Sequence, residues 1–333
     1  MTGAFTPPPE ELAELGAVSL APGYIDLQIN GVDAIDFSVA DGSDWERSGR
    51  RLLAAGVTAF LPTICSMPLD RYDAALARVA RAQASAVEGG LPLILGVHLE
   101  GPFLGGAPGA HPRSMLAPMD VEWLTGLLDR HPGLVRLVTV APEADPGYAG
   151  IRMLASRGVV VALGHTTCTY DEAVNAAAAG ATLTTHLFNG MGPLHHRAPG
   201  IAGAALDPRV GLTPTLIADF VHVHPAVVAL AFAAVEPILV SDAVATGVPY
   251  FDADVVAAKG AAYLPNGTLT GAVSLLDETV RNVVSLGVDR DVALAAASTR
   301  PAAVLGLTAA PGTIALDAGL TVRAVWLRGH RVA

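Results

Sequence analysis

Two histidines, His165 in Gly164-His165-Thr166 and His186 in Thr185-His186-Leu187, are the side chains from which a reaction site can be argued. His165 stands just past a continuous apolar run at residues 159–163, and His186 at the carboxyl end of a second short strand at residues 181–184. A continuous apolar run suits a parallel strand buried on both faces. Residues 170–179 between them read as one helix. Two parallel strands joined by one crossover helix aim both imidazoles at the same end of a sheet. An α/β enzyme builds a metal site in this way. A single strand-end histidine is more often solvated or held by the core, so the other strand ends have to supply the remaining ligands.

The elements that position these groups follow a rhythm. Strands are expected at residues 24–29, 57–64, 93–99, 134–140, 159–163, 181–184, 212–218 and 238–240. Helices are expected at 44–55, 69–84, 120–129, 148–156, 170–179 and 225–234. Eight strands alternating with helices are the count of a (β/α)8 TIM-type barrel. A doubly wound sheet is the alternative, but no Gly-rich phosphate loop follows the first strand. Residues 263–269 carry an Asn-Gly hairpin signal, 275–286 and 292–298 look helical, and 312–332 read as two or three short strands. The expected division is an arm at 1–21 with one strand near 18–20, a barrel at 22–310, and terminal strands at 311–333.

Chemistry in such a barrel sits at the carboxyl ends of the strands. Those ends carry Gln28 and Asn30, Glu100, His165, His186, Asp219 with His222, and Asp242. Glu100, His165 and His186 form a two-imidazole, one-carboxylate set, a common catalytic zinc set with a position left for water. An acid placed straight after a buried strand, as Glu100 is, would be costly without a partner. Asp242 could take a proton from metal-bound water and hand it to a leaving group; the other reading is a carboxylate that orients a ligand or caps a turn. Cys168, three residues after His165, is either a thiolate ligand or a buried bystander.

Composition bounds the rest. The 333 residues are 52% hydrophobic and 15% charged, as in a well-buried globular chain. A net charge of -11 argues against nucleic acid or an anionic membrane as the main partner. Lys259 is the only lysine, so no lysine on a strand can serve as a bridging ligand or Schiff-base nucleophile. Two cysteines, Cys65 and Cys168, cannot make a disulfide framework and point to a reducing cytoplasm. No signal peptide or membrane span is expected, because the apolar runs are short and carry Gly, Pro or charge.

His98-Leu99-Glu100-Gly101-Pro102-Phe103, Gly164-His165-Thr166, His186-Leu187-Phe188-Asn189-Gly190-Met191 and Val240-Ser241-Asp242-Ala243 together resemble the N-acetylglucosamine-6-phosphate deacetylase family of the amidohydrolase superfamily. The resemblance spans roughly residues 20–320. It implies hydrolysis of the N-acetyl amide of a 6-phosphorylated amino sugar, releasing acetate and a free amine. By the same resemblance Glu100, His165 and His186 would hold a divalent metal, usually zinc, and Asp242 would be the general base and then the acid. His111 would contact the acetyl carbonyl or the sugar, and Asn189 and Gly190 the phosphosugar. His222 and Arg197 match phosphate-binding positions, with the arginine coming from the neighbouring subunit of a homodimer; a guanidinium fits a phosphate bidentately.

Three departures qualify the resemblance. Many amidohydrolases carry His-x-His on the first strand as part of a second metal site; here Gln28 and Asn30 stand there, and neutral amides are poor ligands, so one metal per chain is expected. Phe220 replaces the family's usual glycine beside His222. Only about twenty residues precede the first strand, so the small β-sandwich that the chain ends normally build is expected to be reduced, with an exposed edge. Two alternatives stay open: action on another N-acetyl amino sugar phosphate such as N-acetylgalactosamine 6-phosphate, and a metal-binding protein with impaired catalysis.

Overall fold

In the computed structural model, which describes residues 5–86, 89–251 and 253–333, the eight expected strands form one parallel sheet in sequence order. The strands are Tyr24–Ile29, Val57–Cys65, Val97–Glu100, Val135–Val140, Val160–Leu163, Leu183–Thr184, Thr213–Leu216 and Ile238–Leu239. The first two are buried at every position, including the polar Asp26, Gln28, Thr58 and Thr63, as strands of a parallel sheet covered on both faces are. Ile25, Leu27, Ala59, Leu61, Leu137, Ala162, Leu183 and Ile238 fill the barrel interior, while a separate, larger apolar cluster lies between strands and helices. The ring closes just past the last strand: Asp242 N–H donates to the Gln28 carbonyl (2.9 Å), and the Asn30 and Gly31 N–H groups donate to the Ala243 carbonyl (2.7 and 3.0 Å). Closure draws the first and eighth strand ends, with Gln28, Asn30 and Asp242, to one spot.

The helices follow local signals. Thr169 and Glu172 form a reciprocal capping box at the start of Tyr170–Ala179, which fixes the crossover between the two histidine-bearing strand ends. Asp120 caps Val121–Arg130 by accepting from Trp123 N–H at 2.9 Å.

Several boundaries differ from expectation. The third strand is not continuous over 93–99: it splits into Leu93–Ile94 and Val97–Glu100, with Gly96 at φ 132° between them. A Cβ there would sit 2.6 Å from the Leu134 carbonyl oxygen, so the break needs glycine. The second strand runs one residue further than expected, to Cys65, and makes that thiol a strand-end residue. Gly200–Ala205 is a short helix that the pattern did not suggest.

At the chain ends, Ser19–Pro22, Thr313–Leu316, Val322–Leu327 and His330–Arg331 form a four-stranded antiparallel sheet in that order. The arm is more than the single strand expected. A helix, Pro9–Glu14, precedes it, and Leu12, Leu15 and Phe5 pack over Trp326 on the sheet. Residues 1–4 of the arm lie outside the described residues. The Asn266-Gly267 turn does join two strands, Ala261–Tyr263 and Leu269–Ala272, within a small three-stranded sheet beyond the eighth barrel strand.

Candidate active site

Glu100 is the last residue of its strand, and His165, His186 and Asp242 each follow theirs within three residues. All three of these followers have left-handed backbones, with φ of 49°, 30° and 50°. That region is sparsely populated for residues with a Cβ, and such strain gathers at functional sites. The turn swings each side chain over the mouth of the barrel.

Three atoms converge there. His165 Nε2 lies 2.9 Å and His186 Nε2 3.0 Å from Glu100 Oε1, and the two Nε2 atoms are 3.1 Å apart. All three residues are buried. Each ring's other nitrogen faces a carbonyl: His165 Nδ1 meets Ala107 O at 3.2 Å and His186 Nδ1 meets Asn189 O at 3.1 Å. A carbonyl only accepts, so each Nδ1 carries a hydrogen and a neutral ring presents its Nε2 lone pair inward. Two lone pairs and a carboxylate oxygen facing one another need positive charge between them. Two protons would make imidazolium rings that repel, whereas one divalent cation satisfies all three donors, so this set fits a metal. Burial alone would raise the Glu100 pKa, yet contact with His165 and His186 holds the carboxyl well below its ordinary value.

Gln28 and Asn30 act as donors. Gln28 Nε2 donates to Glu100 Oε1 (2.8 Å) and Asp242 Oδ1 (3.2 Å), and Asn30 Nδ2 donates to Asp242 Oδ1 at 2.8 Å. Burial, reinforced by the negative charge of Glu100, pushes the Asp242 carboxyl well above its usual range. A carboxyl shifted in this direction holds a proton more firmly than an exposed aspartate does.

The remaining expected residues divide. Asn30, Glu100, His111, His165, His186, Asn189, Gly190, His222 and Asp242 line one cavity of about 190 Å³. Gly190, at φ 56°, lies so close to His165 that a Cβ would approach its Nδ1 to 2.9 Å. His222 is fixed by Asp219: Nδ1 lies 2.6 Å from Asp219 Oδ2, and Asp219 Oδ1 accepts the Val221 and His222 N–H groups (2.9 and 2.8 Å). Phe220, between them, has φ 65°, a backbone in which glycine would be unstrained. Arg197 does not reach this cavity; it is exposed, with Nη1 2.7 Å from His196 Nε2.

Cys168 is the bystander of the two readings weighed for it. It packs in the outer apolar cluster, burial pushes its thiol up to about 12, and it joins no cluster of metal-ligating atoms among the described residues. The cysteine near the site is Cys65, which motif reading passed over; its signal was its place at the end of an apolar strand. Glu143 was also missed. From the fourth strand end it accepts Gly106 and Thr167 N–H (both 2.9 Å) and the Thr166 hydroxyl, tying the loops on either side of His165. Leu269 and Thr270 of the hairpin complete the cavity wall.

A bovine (Bos taurus) N-acetylglucosamine-6-phosphate deacetylase is 37% identical over 352 aligned positions, covering 97% of this chain and 85% of the relative. This chain belongs to the N-acetylglucosamine-6-phosphate deacetylase family. Within the same similarity lies an N-acetylgalactosamine-6-phosphate deacetylase of Escherichia coli O157:H7, 34% identical over 98% of this chain and 91% of the relative. The solved Mycobacterium smegmatis N-acetyl-D-glucosamine-6-phosphate deacetylase, a mutant in complex with N-acetyl-D-glucosamine-6-phosphate, superposes with a TM-score of 0.86 at 33% identity, covering 94% of this chain and 86% of that one. No family model matches the chain. Family and fold thus agree with the amidohydrolase barrel expected from the strand-end motifs, including a small sheet built from the chain ends.

Proposed function

We propose that this protein hydrolyses the N-acetyl amide of N-acetylglucosamine 6-phosphate to glucosamine 6-phosphate and acetate, with one catalytic divalent ion, zinc, held by Glu100, His165 and His186. The observation that carries this reading is the convergence of those three donors, within 3.1 Å of one another, in the cavity that Asp242 also lines. Bound there, the ion supplies Lewis-acid polarisation of the amide and acidifies water. Asp242 accepts the proton of the attacking water and returns it to the amide nitrogen as the C–N bond breaks. Gln28 and Asn30 hold the carboxylate in place for both transfers. His111 contacts the acetyl carbonyl or sugar, and Asn189 and Gly190 the phosphosugar.

His222 takes the phosphate, oriented by Asp219. Among the described residues no arginine or lysine lines the cavity, so in this reading the phosphate's cation comes from outside it. In this reading Arg197 of a second copy supplies it in a homodimer. Exposed Leu194 and Leu230, 52% and 67% accessible, are consistent with such an interface. The catalytic unit is the barrel, residues 22–310, with 1–21 and 311–333 supplying the small sheet. The cytoplasm is the assigned compartment, on the two-cysteine composition; no helix among the described residues is long and apolar enough to cross a membrane.

The E. coli relative favours one second reading, the galactosamine epimer. Acetate release from the two 6-phosphates and from unphosphorylated N-acetylglucosamine, after chelation and with zinc restored, tests both. Zinc-dependent release, faster with the glucosamine epimer, supports the first reading. Faster turnover of the galactosamine epimer favours the second, and indifference to the phosphate overturns the roles of His222 and Arg197.

A further inference from the structure

Glu100 turns only one of its oxygens toward His165 and His186. Its other oxygen, Oε2, faces Cys65 Sγ at 3.7 Å and His111 Nε2 at 3.9 Å, and the three ligand atoms lie within 4.8 Å of one another. All three side chains are buried. We propose that Cys65, Glu100 Oε2 and His111 Nε2 form a second cation site, distinct from the two-histidine set, that takes a thiophilic divalent metal of the zinc, cobalt or cadmium class.

The spacing suits an ion. With metal–oxygen and metal–nitrogen bonds near 2.0 Å and metal–sulfur near 2.3 Å, ligand atoms of a tetrahedral site stand about 3.3 to 3.5 Å apart. The gaps of 3.7 and 3.9 Å around Oε2 need to close only slightly. His111 is oriented for the task, since its Nδ1 pairs with Ser66 Oγ at 2.9 Å, which leaves Nε2 to the ion. Thiolate and imidazole select soft or borderline metals over magnesium or calcium. Cys65 also lines a second cavity of about 390 Å³, shared at Asn30 with the catalytic one, which gives an ion and a departing proton a route. On binding, the sulfur–hydrogen bond breaks, the electron pair passes to the metal, and one proton leaves. The absence of His-x-His from the first strand thus closes one second site, while the other face of Glu100 offers another. The second site shares Glu100 with the catalytic set through the other carboxylate oxygen, and His111 Nε2 cannot serve ion and substrate together, so the second ion is expected to lower acetate release.

The test is cobalt(II) titration of the chelated full-length protein, with a thiol-free reductant and with optical absorption and bound metal measured together. Two equivalents and a thiolate-to-cobalt charge-transfer band are expected for the wild type. Cys168→Ser should keep both; Cys65→Ser should bind one equivalent without the band, and His186→Ala should lose one equivalent and keep the band. Circular dichroism reports whether each variant is folded. If Cys65→Ser fails to fold, the Cys168→Ser protein, in which any thiolate ligand must be Cys65, decides by X-ray absorption. No band in the wild type, its loss in Cys168→Ser, or its survival in Cys65→Ser overturns the proposal. Failure of the folded Cys65→Ser protein, loaded with its single equivalent, to release acetate counts against the catalytic reading alone, because the sulfur band of the wild type reports the second site independently.

Discussion

Asp242 and His222 are held by different devices, and each predicts its own phenotype. The Asp242 carboxylate is buried beside Glu100 and fixed by two amides. Asp242→Asn keeps the size but not the proton exchange. It should retain metal and lose several orders of magnitude in acetate release, measured by stopped assay and metal analysis; unchanged turnover would refute the role. His222 depends on Asp219, whose carboxyl stays ionised despite burial because of the His222 hydrogen bond. Asp219→Asn should raise KM for the phosphorylated substrate roughly ten-fold, about 1.4 kcal/mol, with metal content unchanged. An equal rise for the unphosphorylated sugar would point to general loosening instead.

At the scale of elements, the site is a set of strands that end in strained turns. His165, His186 and Asp242 each adopt positive φ two or three residues past a strand. Capping of Tyr170–Ala179 and the Glu143 bridges hold the loop after His165 in that shape. The strain is separable from the chemistry. His165→Gly and His165→Ala should both lose the catalytic metal, yet the glycine variant should be more stable by roughly 0.5 to 1 kcal/mol, because the left-handed turn then costs little. Urea unfolding of the two metal-free variants checks the order; an alanine variant as stable as the glycine one would argue that the turn is unstrained.

Over the whole molecule, the seam between the first and eighth strands carries a buried acid. Asp26 Oδ1 accepts the Gln28 and Ser241 N–H groups, both at 3.2 Å, and Oδ2 has no hydrogen-bond partner in the structure. Burial pushes its carboxyl from 3.8 up to about 7. A pKa raised in the folded state contributes stability that is full below the unfolded value and lost as pH climbs to the folded one. Between about pH 4 and 7, then, Asp26 should erode stability by about 1.4 kcal/mol per pH unit. Asp26→Asn removes that slope, so the wild-type minus variant difference in unfolding free energy should fall with rising pH. A difference that is flat over this window would mean that Asp26 is ionised in the folded barrel.

What the chain alone determined is local and periodic. Apolar runs ended by Gly, His or Asp gave the strands, amphipathic stretches gave the helices, and their alternation gave the barrel and its functional end. The strand-end motifs around Glu100, His165, His186 and Asp242 were legible for the same reason: each lies within a few residues of the run that positions it. Only the tertiary structure decided what depends on distance across the ring. Barrel closure makes Gln28 and Asn30 hydrogen-bond donors to carboxylates on other strands, puts Cys65 rather than Cys168 beside Glu100, and leaves Arg197 outside its own chain's cavity. Sequence spacing carries no information on these pairings, because Cys65 and Glu100 are 35 residues apart along the chain and meet through the parallel register of the second and third strands.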